Sequence, residues 1–345
     1  MEIDRITNSS LLGSICIIGD LHINSNISED FERARLQALS KRIKWVLRSN
    51  PTAGIILAGD TFDRNSPSLV DIKLFYEFTE SITGIIYVIA GNHDQTVFEY
   101  LPQTSFTYLQ KPTVLNGNLM LVGHPHIKDL ILHLGIRTYL DTTLISHARC
   151  TIPPYIAEEI PIEILSKSFK QVVLGDIHTQ PTLPFDNVIY TTSPSNITFT
   201  KLVEGAHGFI VYHQDTQSIE WKSIDIPSKQ LVTFETPEEV IAFYKLPADS
   251  QLTKVRFKGH ADIVRALGKL SRPNTISDFV ITSGEITRDC DKDQVQTLST
   301  FLSSKVDISE YAFKFFKNAL GRPEEVIDGI HKSWKELRVA RGSHR

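Results

Sequence analysis

No apolar run in this sequence is long enough to cross a bilayer. The longest, Ile15 to Ile18 and Ile85 to Ala90, are strand-sized, far short of the roughly 20 residues a transmembrane helix needs. Cysteine is scarce: Cys16, Cys150 and Cys290 are far apart and form no Cys-x-x-Cys pair. That argues against a disulfide framework or a zinc ribbon and fits a reducing compartment. The first residues, Met1 to Arg5, lack the basic and apolar regions of a signal peptide, so a cytoplasmic protein is expected. No charge of one sign dominates either, since 36 basic and 40 acidic residues leave a net charge of −4. Recognition of nucleic acid by a global basic field is thereby excluded, although bound divalent cations and local Lys/Arg clusters can still handle phosphates. Repeats and low-complexity segments are also lacking. What remains is an ordinary globular composition, 41% apolar over 345 residues, with length for about two domains.

The first two thirds alternate short β-branched runs with helical segments, the pattern of an α/β layered fold. Strands are expected at Ser14 to Ile18, Gly54 to Ala58, Ile85 to Ala90, Asn118 to Val122, Thr142 to Ser146 and Gln171 to Leu174. A helix from Ser28 to Ser49 carries the stripe Phe31, Leu36, Leu39, Ile43 and Val46, and Asn50-Pro51 stops it. A second is expected to start at Pro67 with Ser66 as its cap and to run to about Gly84. His207 to His213 and Ser218 to Ile226 read as antiparallel strands. A boundary falls near Pro227, giving domains at 1–226, 227–290 and 291–345. The middle one is read as a small α+β unit with a helix capped at Thr236, an extended Lys254 to Lys258 and a helix over Ala261 to Leu270. The last is read as helical.

Five strands end alike, in Gly19-Asp20-Leu21-His22, Gly59-Asp60-Thr61-Phe62-Asp63, Gly91-Asn92-His93-Asp94, Ser146-His147 and Gly175-Asp176-Ile177-His178. Ligands of α/β folds gather beyond the carboxyl ends of strands, so the five tips can converge. Glycine before the polar residue in four of them permits a sharp turn and close approach to an ion. Oxygen and imidazole donors without thiolate suit two divalent ions, Mn²⁺ first, with Mg²⁺, Fe²⁺ or Zn²⁺ as alternatives. Such a pair clamps the attacking and leaving oxygens of a phosphoester and lowers the pKa of water.

These motifs resemble those of the calcineurin-like metallophosphoesterases: D-x-H, G-D-x-x-D, G-N-H-D/E, a lone H, then G-H-x-H. The likeness covers residues 14 to 215 and implies a layered β-sandwich flanked by helices. It also implies that Asp20, His22, Asp60 and His178 hold one metal, and that Asp60, Asn92, His147 and Asp176 hold the other. His93 would be the proton donor, oriented by Asp94, and Asp63 would orient water or a histidine. Asp176 departs from the family pattern, which has His there. Within the family, Gly59 to Ser68, His147 to Pro154 and Tyr190 to Ser195 resemble SbcD-type double-strand-break-repair nuclease subunits of the phage-encoded kind. That likeness implies a DNA nuclease acting with an SbcC-type ATPase in recombination, repair or replication, a homodimer, and, for a phage-encoded chain, the host cytoplasm. Residues 227–290 and 291–345 would take the places of the DNA-capping domain and the partner-binding segment. In the last helix Val326, Ile327, Ile330, Trp334 and Leu337 form a stripe that packs either on its own domain or in a partner's groove.

Arg64 and Arg149 are candidates for DNA phosphates, and Lys201 a lesser one. His124 and His126 read as loop residues at the site edge, with substrate contact as the alternative, and His133, His207, His213, His260 and His331 as structural or surface. Two other readings stay open: a phosphodiesterase or phosphatase acting on nucleotides or phosphoproteins, and a silent scaffold. The length of chain after residue 215 separates the nuclease from the first, and the His93–Asp94 pair argues against the second.

Overall fold

Alternation of side chains along the apolar strands builds a sandwich. The computed structural model describes residues 1–8, 13–26, 28–48, 54–150, 160–199, 206–234, 236, 239, 242, 252–257 and 282–283. In chain order the elements are β1 (Asp4–Ile6), β2 (Ser14–Ile18), α1 (Glu29–Leu47), β3 (Gly54–Ala58), α2 (Leu69–Ser81), β4 (Ile85–Ile89), α3 (Val97–Tyr100), β5 (Thr107–Tyr108), β6 (Thr113–Leu115) and β7 (Leu119–Val122). There follow a 3-10 turn at His124–His126, α4 (Ile127–Leu134), β8 (Tyr139–His147), α5 (Ile162–Ser168), β9 (Phe169–Gly175), β10 (Val188–Tyr190), β11 (Gly208–His213), β12 (Ser218–Ser223), β13 (Lys229–Phe234), β14 (Leu252–Phe257) and β15 (Thr282–Ser283). The chain divides into two compact units, residues 1–198 with 202–228, and residues 199–201 with 229–345.

The first unit holds two six-stranded sheets, ordered β12-β11-β2-β3-β4-β5 and β1-β6-β7-β8-β9-β10. Strands β2, β3 and β4 run parallel, as do β7, β8 and β9, so their carboxyl ends point one way in each sheet. Between the sheets pack Ile15, Ile17, Ile56, Ala58, Ile89, Leu119, Leu121, Ile145, Val173 and Ile210. Alternate residues Cys16, Ile18, Ile55, Leu57, Ile86 and Val88 face the other way, against Leu36, Leu39 and Ile43 of α1 and Leu74, Phe75 and Phe78 of α2. On the far side of the second sheet, Met120, Val122, Leu144, Val172 and Leu174 meet Ile127 and Leu130 of α4 and Leu165 of α5. Each such aliphatic side chain contributes about 1.5–3 kcal/mol. This is the helix-flanked sandwich expected from the sequence. Among the described residues no helix is long and apolar enough to cross a membrane.

The hairpin β11–β12 is antiparallel as expected, and β14 contains most of the extended run expected at Lys254 to Lys258. It sits between β13 and β15 in a three-stranded parallel sheet. The cap at Thr236 is present: its Oγ1 accepts from the Glu239 amide (3.4 Å) while Glu239 accepts from the Thr236 amide (3.1 Å). The helices expected over 261–270 and 291–345 lie outside the described residues, as do Cys290, Lys201, His260, His331 and Trp334.

The second helix begins later than expected. Its N-cap is Ser68 rather than Ser66, because Asp71 stands three residues on and closes a reciprocal capping box with Ser68. Pro67 therefore lies outside the helix. Asp71 also accepts from the Ser25 amide (2.7 Å), which ties this cap to the loop after β2.

A second tie lies under the same loop. Arg35 of α1 is 2% exposed and donates to Glu32 (2.6 Å), to the Leu21 carbonyl (2.9 Å) and to Ser195 Oγ (3.3 Å). Glu32 in turn accepts from the Asn24 amide (3.2 Å). Removing one member of a buried ion pair leaves the other uncompensated, at about 3–5 kcal/mol. Arg35→Ala should therefore lower the urea-unfolding free energy by roughly that much, whereas the apolar pair Glu32→Leu/Arg35→Met should cost clearly less. Equal losses in both variants would show that the pair's charge is immaterial.

Candidate metal centre

Strand tips of both sheets deliver the site. Asp20 and His22 follow β2, Asp60 follows β3, Asn92 and His93 follow β4, His147 ends β8, and Asp176 and His178 follow β9. Asp20, His22, Asp60 and Asp176 all have left-handed backbones, with φ of 55°, 45°, 47° and 96°. That conformation is uncommon for non-glycine residues and persists only where surroundings enforce it. Two preceding glycines are required by close approach. A Cβ on Gly59 would collide with the His147 ring, and one on Gly91 with the Asp60 carboxylate and amide.

The donor atoms converge in three groups, Asp20/His22/His178, Asp20/Asp60/His147 and His22/Asp63/His93, each with its atoms within 4.8 Å of one another. Asp60 Oδ2 is 3.5 Å from His22 Nε2, 3.3 Å from His147 Nε2 and 3.9 Å from His93 Nε2. Asp20 Oδ1 is 3.5 Å from His178 Nε2. Asn92 Oδ1 lies 2.9 Å from His147 Nε2, while His147 Nδ1 is 3.0 Å from the Ala58 carbonyl. His22 Nε2 is buried and makes no hydrogen bond, although His22 Nδ1 is held 3.2 Å from Asp63 Oδ1. An imidazole fixed at one nitrogen, with the other aimed among carboxylates, is the geometry of a metal ligand. Hard oxygen and imidazole donors of this kind fit divalent ions.

Burial and neighbouring charge push the protonation equilibria apart. Burial raises the Asp20 carboxyl to about 6. For Asp60 burial also acts upward, but His147, His22 and the His93 amide outweigh it and hold the carboxyl well below its usual range. Burial disfavours the charged His147, yet Asp60 and Asp20 win and raise it to about 10. His178 falls to about 4, through burial and the nearby His22.

Two expected roles meet a different geometry. Asp94 does not orient His93: its two oxygens accept from the amides of Gly91 (2.8 Å) and Phe62 (3.1 Å), which pins the Asn92–His93 turn to the strand β3 loop. His93 is instead held through Nδ1, 2.9 Å from the Asp63 carbonyl oxygen. The Asp176 amide donates to Asp20 (3.1 and 3.2 Å), whereas its carboxylate is clasped by Arg149 and joins none of the three groups. Arg64 is exposed, with Nη2 3.4 Å from Asn24 Oδ1.

His124 and His126 stay outside the groups, beside Gln95 and the Gln110 carbonyl. Sequence reasoning missed Asn24, which donates to Asp63 Oδ2 (2.7 Å), and Ser193, whose hydroxyl donates to the Asp20 carbonyl (2.8 Å). The run Thr191-Thr192-Ser193 is fully buried despite its hydroxyls, and Thr192 is also left-handed at φ 56°. A cluster of hydroxyls straight after an apolar strand tip was the available signal.

A metal ligand imidazole must be neutral, so binding at His147 displaces its proton. With its pKa raised to about 10, His147 is protonated at pH 7, and metal affinity should rise with pH through neutrality. Calorimetric metal titrations at pH 7 in two buffers of different ionisation heat should reveal release of about one proton, absent in His147→Ala. Identical heats in both buffers would contradict this arrangement.

Residues 13–167 match the family model for calcineurin-like phosphoesterase. Over 330 residues, 94% of this chain and 68% of the relative, the sequence is 20% identical to the SbcD component of the nuclease SbcCD from Bacillus subtilis (strain 168). Residues 13–167 thus match a calcineurin-like phosphoesterase domain, the domain of a phosphoester hydrolase, and the chain is distantly similar to the SbcD component over most of its length.

Proposed function

We propose that the protein is a Mn²⁺-dependent DNA nuclease subunit that hydrolyses phosphodiester bonds and works with an SbcC-type ATPase in recombination, repair or replication. The observation that carries the hydrolytic part is the placement of His93. Its side chain is 43% exposed, within reach of substrate, while Nε2 lies 3.9 Å from Asp60 Oδ2 and Nδ1 is fixed by the Asp63 carbonyl. The nuclease part is supported by a likeness to the SbcD-type nuclease that runs through 94% of the chain, well past residue 167, where the phosphoesterase match ends. Residues 227–290 take the capping role and residues 291–345 the partner-binding role in this reading.

Asp20, His22 and His178 would hold one ion and Asn92 and His147 the other, with Asp60 between them. Two divalent ions supply charge stabilisation for the phosphate and lower the pKa of water at the site. The chain's own groups do the rest. His93, with Nδ1–H donating to the Asp63 carbonyl, keeps Nε2 facing the cleft. As imidazolium it gives the Nε2 proton to the leaving oxygen. Asp63 fixes His22 through its carboxylate and His93 through its carbonyl, and Asn24 fixes Asp63.

Linear duplex and single-stranded DNA, incubated with Mn²⁺, Mg²⁺ or Zn²⁺, should yield acid-soluble nucleotide, most with Mn²⁺. His93→Ala should lower the rate about 10²- to 10⁴-fold, as loss of a general acid does, with the bound metal count unchanged. Hydrolysis confined to small aryl phosphates would overturn the nuclease reading. Loss of metal from His93→Ala would make His93 a ligand rather than a proton donor.

A further inference from the structure

At the position where the resembled motif has a second metal-ligating histidine, this chain has a carboxylate already engaged. Arg149 Nε donates to Asp176 Oδ2 at 2.6 Å and Arg149 Nη2 to Asp176 Oδ1 at 3.0 Å. Both carboxylate oxygens thus meet one guanidinium in a two-pronged fork, the stronger and more directional kind of ion pair. The Asp176 side chain is 5% exposed and that of Arg149 40% exposed. A pair shielded on the carboxylate side and open on the guanidinium side presents its positive member to solvent.

The pair is not remote from the chemistry. The Asp176 amide donates to both oxygens of Asp20, so its backbone is anchored on a ligand carboxylate in a left-handed conformation. Arg149 stands two residues beyond His147, the last residue of β8. Coordinating an ion through Asp176 would require giving up the fork. A guanidinium held in place by a buried carboxylate, by contrast, is preorganised for a phosphate oxygen, whose geometry its planar N–H groups match. A third carboxylate left bare beside Asp20 and Asp60 would repel the substrate's phosphate; neutralised by Arg149, it does not.

We infer that Asp176 is a positioning residue, and that what it positions is Arg149, which takes a phosphate oxygen of the substrate beside the metal ligands. This assignment rests on the phosphoester-hydrolase reading of the site. It replaces one imidazole ligand with an arginine contact, so the ions would be held by Asp20, His22, Asp60, Asn92, His147 and His178 alone.

The test uses the full chain loaded with Mn²⁺, with metal content measured by mass spectrometry and affinity for inorganic phosphate by calorimetry, neither of which needs turnover. Arg149→Ala and Asp176→Asn should both keep the parent's metal count. Phosphate affinity should fall about tenfold or more in Arg149→Ala, the scale of a lost charge-assisted contact, and severalfold in Asp176→Asn. The double variant should be no weaker than Arg149→Ala, because Asp176 acts only through Arg149. Arg149→Lys should recover part of the affinity, charge without fork. Loss of one ion from Asp176→Asn but not from Arg149→Ala would make Asp176 a ligand and overturn the inference. So would unchanged phosphate affinity in Arg149→Ala. If the parent binds two ions and phosphate as described but hydrolyses no phosphoester, the Arg149 assignment stands and the hydrolase reading falls.

Discussion

Two carboxylates, Asp20 and Asp60, are buried side by side at the tips of neighbouring strands, and much of the first unit answers to that constraint. Burial alone drives both towards the neutral acid. The protein splits them instead: Asp60 stays ionised against His147 and His22, while Asp20 is raised to about 6. The imidazoles respond in opposite directions, His147 upward to about 10 and His178 downward to about 4. Groups displaced this far from their solution values, in a cluster where carboxylates and imidazoles face one another and His22 Nε2 makes no hydrogen bond, are poised to exchange protons for cations. The same cluster explains the local backbone. Reaching a common point from different strands forces left-handed turns, and glycine before two of those tips makes room for the facing imidazole and carboxylate.

Strained turns need support, and it comes from outside the ligand set. The sandwich fixes the strands through its apolar layers, but the loop from Asp20 to Ser25 is held by polar ties: Arg35 on the Leu21 carbonyl, Ser193 on the Asp20 carbonyl, Asp71 on the Ser25 amide and Glu32 on the Asn24 amide. Asp94 plays the same part for the next tip by accepting from Gly91 and Phe62. The geometry of the site thus depends on buried polar groups in α1, in the cap of α2 and in the run after β10.

Much of this was legible in the sequence for a physical reason. A strand buried on both faces must be nearly all apolar, so its end is marked wherever Asp, Asn or His appears, and Gly19, Gly59, Gly91 and Gly175 sharpen the mark. That pattern located β2, β3, β4, β8 and β9, and with them the convergence of Asp20, His22, Asp60, Asn92, His147 and His178. Legibility ended where a role depends on which partner a side chain finds. Asp94 reads as an orienting carboxylate from its place beside His93, yet two backbone amides claim it. Asp176 reads as a ligand by position, yet Arg149 lies where it can be clasped, a proximity no spacing rule reveals. The short strands β1, β5, β6 and β10 were missed because two or three residues carry no periodicity. The start of α2 was misplaced because Ser66-Pro67 and Ser68 with Asp71 offer rival caps, and only the second closes a reciprocal pair.

The dinuclear character of the site is tested most directly by anomalous diffraction from crystals soaked in Mn²⁺. Two peaks about 3.5–4 Å apart should appear, flanking Asp60, with His22 and His178 on one side and Asn92 and His147 on the other. A single peak, or two peaks that do not share Asp60, would contradict a two-ion centre built on that carboxylate.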